Sequence, residues 1–251
     1  MRILCVADGH TGSRFGLTPP EHISPEAAPI LRPMWDWWCK TLKDIGRVDG
    51  AVHVGDAVDG EGKKEQLEQL ITDTKRQAEA SVQALEHVRT KRWWFCYGTP
   101  FHTVGSYNYE EPVAAAFGAS IRDTQLLEFA GYRFSFRHVV GISNTPYGQQ
   151  TLLLKEALRE QHMAEMEERP SAGYVVRAHA HKYCEAATSK VVARICPCFE
   201  VPGSVFGRRC RPFDYDMGLL LIETGKNQEP TIKPIIMPLK IVIRRKFECL
   251  K

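Results

Sequence analysis

Short apolar runs alternate with longer polar or amphipathic stretches along this chain. The runs are of strand length, and Gly, Pro or charged residues bound them, as they commonly bound strands. They lie at residues 3–7, 51–54, 93–97, 132–136, 174–176, 191–196, 219–222, 232–237 and 241–243. The pattern predicts a strand at each of these positions, so the end of the chain is predicted to be mostly strand.

Three segments are predicted to be helical. Residues 67–88 repeat apolar side chains three and four positions apart, which is typical of an amphipathic helix. A second helix is predicted from residue 149 to about residue 168, between two prolines, and a third around residues 34–45. Helices between the early strands and strands at the end favour an α/β fold with a mixed sheet or two sheets over an all-parallel doubly wound sheet. Residues 11–33 hold five prolines and are predicted to be the longest irregular segment.

The composition is that of a globular protein. Of the 251 residues, 43% are hydrophobic and 25% are charged, which excludes a disordered chain, a collagen and a coiled-coil rod. We expect a single domain over residues 1–251. No apolar run reaches the ~18 residues that a membrane span needs, and the N-terminus lacks the features of a signal peptide. Three of the eight cysteines lie inside apolar runs, as buried thiols of the reducing cytoplasm do, so we expect a cytoplasmic protein with no membrane partner.

The net charge of +3 is concentrated at the C-terminus. Residues 240–251 contain five basic residues and one acidic residue, a net charge of +4, so the rest of the chain sums to −1. Bulk charge therefore gives no case for general nucleic-acid affinity. A second basic group, Arg208, Arg209 and Arg211, lies in a predicted turn between strands. It could be a solvated turn, or it could contact the phosphate of a substrate.

Five of the apolar runs are followed by Asp or His. The sequences after them are Asp8-Gly9-His10, Gly55-Asp56-Ala57-Val58-Asp59, Gly98-Thr99-Pro100-Phe101-His102, Arg137-His138 and His179-Ala180-His181. In α/β sheets, functional sites form in the crevice at the carboxyl ends of the strands. Residues two apart on an extended backbone project to the same side, so a D-x-H or H-x-H triplet can aim two ligands at one centre. Carboxylates and imidazoles without cysteine suit Mn, Fe or Zn, and a carboxylate can bridge two ions about 3.5–4 Å apart.

In this order, the motifs resemble those of the calcineurin-like metallophosphoesterases over residues 1–181, and the block at 98–102 is similar to that of phage-type members. The resemblance implies an α/β two-sheet sandwich with helices on both outer faces. It also implies two divalent ions, with Mn²⁺ the first choice and Fe, Zn or Ni as alternatives. One ion would be held by Asp8, His10, Asp56 and His181, and the other by Asp56, His138, His179 and a residue of the 98–102 block, so that Asp56 bridges them. Asp59 is usually a supporting group in this family, although a plain loop carboxylate or helix cap fits the pattern equally well.

The 98–102 block departs from the family's usual Gly-Asn-His. Thr99 stands where the family has its Asn ligand, and a hydroxyl is a weak neutral donor. Either Thr99 is still the ligand, or the loop is rearranged so that His102 reaches a metal. In the interpretation we favour, His102 takes the family's non-ligand role, in which it binds the phosphoryl group and protonates the leaving oxygen.

Together these features predict a metal-dependent hydrolase of phosphate esters, with phosphodiesters favoured. Asp56, as the bridging ligand, and His102 would be its catalytic residues, and the two ions would lower the pKa of a shared water so that it acts as hydroxide. Two alternatives stay open. A DNA or RNA nuclease of the same fold gains support from the arginines at 208–211, the basic C-terminus and the tryptophans. A non-catalytic metal-binding module for protein interaction would follow if the altered 98–102 block no longer supports a second ion.

Overall fold

The computed structural model describes residues 1–61, 68–103, 108–143, 145, 147–203 and 215–238, and these contain eleven strands and four α-helices. The strands are β1 (Arg2–Val6), β2 (Gly50–His53), β3 (Trp93–Cys96), β4 (Ile121–Arg122), β5 (Thr124–Phe129), β6 (Tyr132–Arg137), β7 (Tyr174–Arg177), β8 (Cys184–Ala187), β9 (Val192–Ile195), β10 (Gly218–Gly225) and β11 (Gln228–Ile236). The helices are α1 (Ala28–Ile45), α2 (Thr74–Leu85), α3 (Glu110–Ala116) and α4 (Gly148–Met166), and short 3₁₀ turns cover Pro20–His22 and Pro100–His102.

The strands form two mixed sheets. The first sheet has the order β11-β10-β1-β2-β3-β4, and the second has the order β5-β6-β7-β9-β8. In the first sheet β1 to β4 run parallel, while β10 is antiparallel to both of its neighbours. In the second sheet β6, β7 and β9 run parallel, while the edge strands β5 and β8 are antiparallel to theirs. The prediction of an α/β fold with two mixed sheets is confirmed.

Side-chain alternation along the strands explains how the two sheets and the helices stack. On β1, Ile3 and Cys5 point into a core shared with the second sheet, where Phe134 and Phe136 of β6 lie. The intervening residue Leu4 belongs to a different core, in which α1 and α2 pack on the first sheet. Helix α4 covers the other face of the second sheet. The molecule is therefore a sandwich of two sheets with helices on both outer faces.

The predicted bounds of two helices are wrong. Helix α1 begins at Ala28 rather than near residue 34, because Pro29 falls in its first turn, where the backbone N–H is not needed. Helix α2 begins only at Thr74, because the Asp73 side chain caps it by accepting from the backbone of Arg76. Residues 68–73, predicted as helix, are not α-helical.

The burial predicted for three cysteines is confirmed, and some other predictions fall on residues that the structure does not describe. Cys5, Cys96 and Cys196 are buried, as expected. Within the described ranges, no helix combines the length and the apolar composition that a bilayer crossing requires. The predicted strand at 241–243, the basic C-terminus and the first residue of the predicted 67–88 helix lie outside the described residues.

Candidate metal centre

The segments that follow β1, β2, β3, β6 and β7 converge at one edge of the sandwich. Because β1 and β2 are parallel neighbours, their following segments run side by side, and the backbone N–H of Asp8 donates to Gly55 (3.0 Å) while that of His10 donates to Asp56 (3.0 Å). The backbone N–H of His179, after β7, donates to Asp8 Oδ2 (3.2 Å) and so joins the second sheet to the first.

Asp8, His10 and His181 form a first buried cluster. One potential ligand atom from each lies within 4.8 Å of the others. His181 Nε2 is 3.2 Å from Asp8 Oδ1 and 3.4 Å from His10 Nε2. These three residues are the predicted ligands of the first ion apart from Asp56, and the fold brings them together.

Asp56, His138 and His179 form a second cluster of the same kind. His138 Nε2 is 2.9 Å from Asp56 Oδ2 and 3.8 Å from Asp8 Oδ1, so the second cluster borders the first. Asp56 also belongs to a third group, with His10 and His102, whose ligand atoms are equally close. Its carboxylate therefore contacts ligand candidates of both ions, and the bridging role that the resemblance implies for it stays a prediction.

Hydrogen bonds fix the orientation of three imidazoles. His138 Nδ1 is 2.7 Å from the carbonyl oxygen of Val54, and His102 Nδ1 is 2.6 Å from that of Asp59. A carbonyl can only accept, so Nδ1 carries the proton in both rings and Nε2 is the atom turned toward Asp56. His181 Nδ1 is likewise 2.9 Å from a carboxylate oxygen of Glu200. Such partners are typical of metal-binding histidines.

The backbone of the site is strained. Eight non-glycine residues of the described chain have positive φ, and five of them are Asp8 (50°), His10 (41°), Asp56 (54°), His179 (69°) and His181 (54°). This left-handed conformation is uncommon for residues with a side chain and concentrates at functional sites. Here it turns each side chain out of its loop and toward the shared centre.

A glycine is required where the 98–102 block passes Asp56. A Cβ atom at Gly98 would overlap Asp56 Oδ1. The close approach lets the backbone N–H of Thr99 donate to that oxygen at 2.6 Å, and the Thr99 hydroxyl lies 3.2 Å from both carboxylate oxygens. Thr99 is therefore placed where it holds Asp56 in position.

Burial and neighbouring charges shift the pKa values of the clustered side chains in opposite directions. Burial would raise the pKa of Asp56, but His138 and His102 hold that pKa well below its usual range. Burial would lower the pKa of His138, but Asp56 and Asp8 raise it to about 9. Burial lowers the pKa of His10 to about 4. The cluster thus contains ionised carboxylates and at least one neutral imidazole, the protonation states that bind a metal.

The donor set suits divalent cations. Asp8 Oδ1 is completely buried and accepts no well-formed hydrogen bond within the described part of the chain. Its nearest partner is His181 Nε2 at 3.2 Å. A buried carboxylate oxygen without a well-aligned hydrogen bond is costly unless a cation lies against it. All the donor atoms are carboxylate oxygens and imidazole nitrogens, which Mn, Fe, Ni and Zn accept.

Two buried glutamates support the site and were not found from the sequence. Glu200 holds His181, and Glu110 accepts from the backbone N–H groups of Ala57 (2.8 Å) and Gly98 (2.6 Å). Burial and the charge of Asp56 raise the pKa of Glu110 to about 7. The signal for Glu200 is an acid between apolar residues shortly after the 191–196 run. Glu110 begins a helix that the apolar pattern did not predict.

Of the remaining candidates named in the sequence analysis, the structure describes Asp59 but not the arginines at 208–211. The backbone carbonyl of Asp59 lies 2.6 Å from His102 Nδ1, and its carboxylate accepts from Gln69 (3.3 Å). Whether the carboxylate is a supporting group or a plain loop carboxylate stays a prediction. Arg208, Arg209 and Arg211 lie outside the described residues.

No protein-family model and no curated protein matches the sequence, but solved structures match its fold. A single-residue variant of Vps29 from Entamoeba histolytica has a TM-score of 0.50 at 11% identity, over 95% of this chain and 100% of that chain. An archaeal phosphodiesterase has a TM-score of 0.48 at 12% identity, over 94% and 100%. A predicted phosphoesterase from Streptococcus pneumoniae has a TM-score of 0.40 at 10% identity, over 94% and 97%. At such identities the likeness concerns the fold alone, and the chain has the helix-flanked two-sheet sandwich that the metallophosphoesterase resemblance implied.

Proposed function

We propose that this protein is a metal-dependent hydrolase of phosphate esters, that phosphodiesters are its preferred substrates, and that it uses two divalent ions. The observation that carries the proposal is the pair of adjoining clusters, the buried Asp8–His10–His181 and the partly exposed Asp56–His138–His179, with Asp56 also within reach of His10 and His102. One carboxylate flanked by two sets of ligands is the arrangement that two-metal hydrolases use.

The first ion is assigned to Asp8, His10, Asp56 and His181, and the second to Asp56, His138, His179 and either Thr99 or His102. Mn²⁺ is the first choice, with Fe, Zn or Ni as alternatives. When bound, such ions lower the pKa of a water and neutralise charge on the phosphoryl oxygens, which is most of what phosphoryl transfer requires.

Asp56 and His102 are the two residues to which we assign catalytic roles. Asp56 is held by Thr99 from one side and by His138 from the other, so its carboxylate has a fixed orientation. His102 is fixed through Nδ1, and its Nε2 lies 3.6 Å from Asp56 Oδ2. Burial would lower the pKa of His102, but Asp56 and Asp59 raise it above its usual value. The doubly protonated ring is therefore favoured, and its Nε2–H can donate to a phosphoryl oxygen and deliver a proton to the leaving oxygen.

The test uses bis(p-nitrophenyl) phosphate as a generic phosphodiester and elemental analysis of bound metal. Wild-type protein is expected to bind two ions per chain and to hydrolyse the ester. The variants Asp56→Asn and His181→Ala should lose both metal and activity. The matched controls Asp36→Asn and His162→Ala change exposed residues of α1 and α4 and should lose neither. Wild-type turnover by metal-loaded Asp56→Asn would show that the site is wrongly assigned.

His102 is tested separately, because the two roles left open for it differ in their effect. If it protonates the leaving oxygen, His102→Ala should keep both ions, and its rate should fall far more on a dialkyl phosphate than on a nitrophenyl ester, whose leaving group needs no proton. Loss of one ion from His102→Ala would assign it as a ligand instead.

The likeness to phage-type members and the nuclease and binding-module alternatives stay predictions. A steep decline of DNA affinity with salt would favour the nuclease. One ion or none, without turnover, would favour the module.

A further inference from the structure

A cavity of about 440 Å³ adjoins the candidate metal centre. Its wall includes Gly98 and His138 from the centre itself, together with Pro100 beside them. The rest of the wall comes from β5, β6, α4, Arg177 of β7 and residues that flank these elements. A molecule whose phosphate lies at the metals can therefore extend into this space.

Four arginines line the cavity, and two of them are already neutralised. Arg169 binds two carboxylates of the same wall, Glu160 at 2.7 Å and Glu167 at 2.6 Å. Arg177 binds Glu156 at 3.0 Å. These three ion pairs hold α4 and its C-terminal end against the sheet, and they leave no charge for a ligand.

The other two arginines are not neutralised in this way. Arg137 is half-buried on β6, directly before His138, and its side chain forms neither an ion pair nor a hydrogen bond with any described residue. Arg159 reaches Glu156 only at 4.0 Å, and that carboxylate already binds Arg177. The remaining acid of the wall, Asp123, is exposed. A half-buried guanidinium without a partner is a ready site for an anion.

The cavity also has apolar surface. Leu126 and Val139 line it and are 44% and 39% exposed, and Pro100 and Met163 contribute further apolar atoms. The occupant that fits is therefore an organic group that carries a negative charge, not an inorganic ion alone.

We propose that this cavity holds the non-reacting part of the substrate and selects phosphate esters that carry a second phosphate, which Arg137 binds with Arg159. This inference rests on the proposed function of the metal centre. It assigns the substrate class as a bisphosphorylated organic ester, in which one phosphate lies at the metals and the other lies on Arg137.

Two substrates that differ only in the second phosphate test the idea. They are thymidine 5′-(p-nitrophenyl phosphate) and its 3′-phosphorylated form, and both release nitrophenol. The wild-type, Mn²⁺-loaded protein is expected to have a kcat/KM roughly tenfold higher for the second substrate, the scale of one hydrogen-bonded charge pair. Arg137→Gln should remove the preference, and Arg137→Lys, which keeps the charge, should retain part of it.

A matched control is available on the same strand. Arg133 is an exposed arginine of β6 that pairs with Glu128 at 3.3 Å and does not line the cavity. Arg133→Gln should keep the full preference, so a loss seen in both variants would point to general charge and would overturn the inference.

Binding to the metal-free protein gives a readout that needs no turnover. Calorimetry in the presence of EDTA should show tighter binding of thymidine 3′,5′-bisphosphate than of thymidine 5′-phosphate, and Arg137→Gln should remove the difference. If binding depends on Arg137 but neither ester is hydrolysed, the anion site stands and the proposed function fails. If both esters are hydrolysed equally and Arg137→Gln changes nothing, the proposed function stands and the anion site fails.

Discussion

Glu110 connects the two segments that hold Asp56, and Glu110→Gln should change stability and metal affinity in opposite ways. One carboxylate oxygen of Glu110 accepts from Ala57, next to Asp56, and the other accepts from Gly98, which passes directly over Asp56. Glutamine offers only one acceptor, and its NH₂ group would face the second backbone N–H.

The effect on the metal-free protein follows from the pKa of Glu110. Burial and Asp56 raise that pKa from 4.5 to about 7 in the folded state. A group whose folded pKa is raised contributes stability that is present below pH 4.5 and is lost as the pH rises through 7. Glutamine cannot ionise, so it does not lose this stability. As the pH is raised from 5 to 8, the free energy of unfolding of Glu110→Gln should therefore rise relative to that of wild type.

The effect on metal binding has the other sign. Divalent ions beside Asp56 cancel the charge that opposes ionisation of Glu110, so the carboxylate then makes two strong bonds to the loops. Glutamine carries no charge and gains nothing from this cancellation, whereas each unit by which the ions lower the pKa of Glu110 adds about 1.4 kcal/mol to metal binding by wild type. Since 1.4 kcal/mol is a factor of ten, Mn²⁺ affinity should fall by roughly tenfold or more.

Urea unfolding in EDTA at pH 5 and pH 8, and Mn²⁺ titration at pH 8, measure the two effects. Glu111→Gln is the matched control, because Glu111 is the next residue, is exposed, and accepts only from the hydroxyl of Tyr97 among the described residues. The reasoning is refuted if Glu110→Gln binds Mn²⁺ as tightly as wild type, or if its stability relative to wild type does not change with pH.

Two further predictions concern histidines of the site. The Glu200→Ala variant removes the carboxylate that holds His181. It should weaken metal binding by about 10–100-fold, measured by Mn²⁺ titration. The control Glu229→Ala, on the exposed edge strand β11, should have no effect. In the metal-free protein, Asp56 and Asp8 raise the pKa of His138 to about 9 against burial, so its stabilising contribution is complete below pH 6.5 and is lost as the pH rises through 9. The urea midpoint should fall between pH 6 and pH 9.5 in wild type and fall less in His138→Gln, and equal declines would contradict the assignment.

Position in the sheets separates most of the predicted strands from the missed ones, although the edge strand β11 was also predicted, from the apolar run at 232–237. The inner strands β1, β2, β3, β6, β7 and β9 are buried and appear as apolar runs. The missed strands β4, β5 and β8 all lie at sheet edges. An edge strand exposes one side, and Cys184–Ala187 accordingly has no buried residue. It has no β-branched or aromatic residue that would mark it as a strand, and only the pairing with β9 reveals it.

The candidate ligands could be found from the sequence because each follows a strand directly. The parallel arrangement of β1, β2 and β3, and of β6 and β7, sends the residues after them to one edge. Glu110 and Glu200 could not be found this way. Glu110 contacts Ala57 across 53 residues of chain, and no local pattern encodes such a contact.

Contacts between the loops balance the backbone strain of this centre. Five left-handed residues of the site would each relax at a gain of about 1–2 kcal/mol if the loops were free. They are held because the loops bond to one another, as in His10 N–H to Asp56 O and Asp216 N–H to His181 O, both at 3.0 Å. The strands below those loops are anchored in two fully buried cores. Bonds between the loops and packing of the strands below them therefore hold the candidate ligands close to one another.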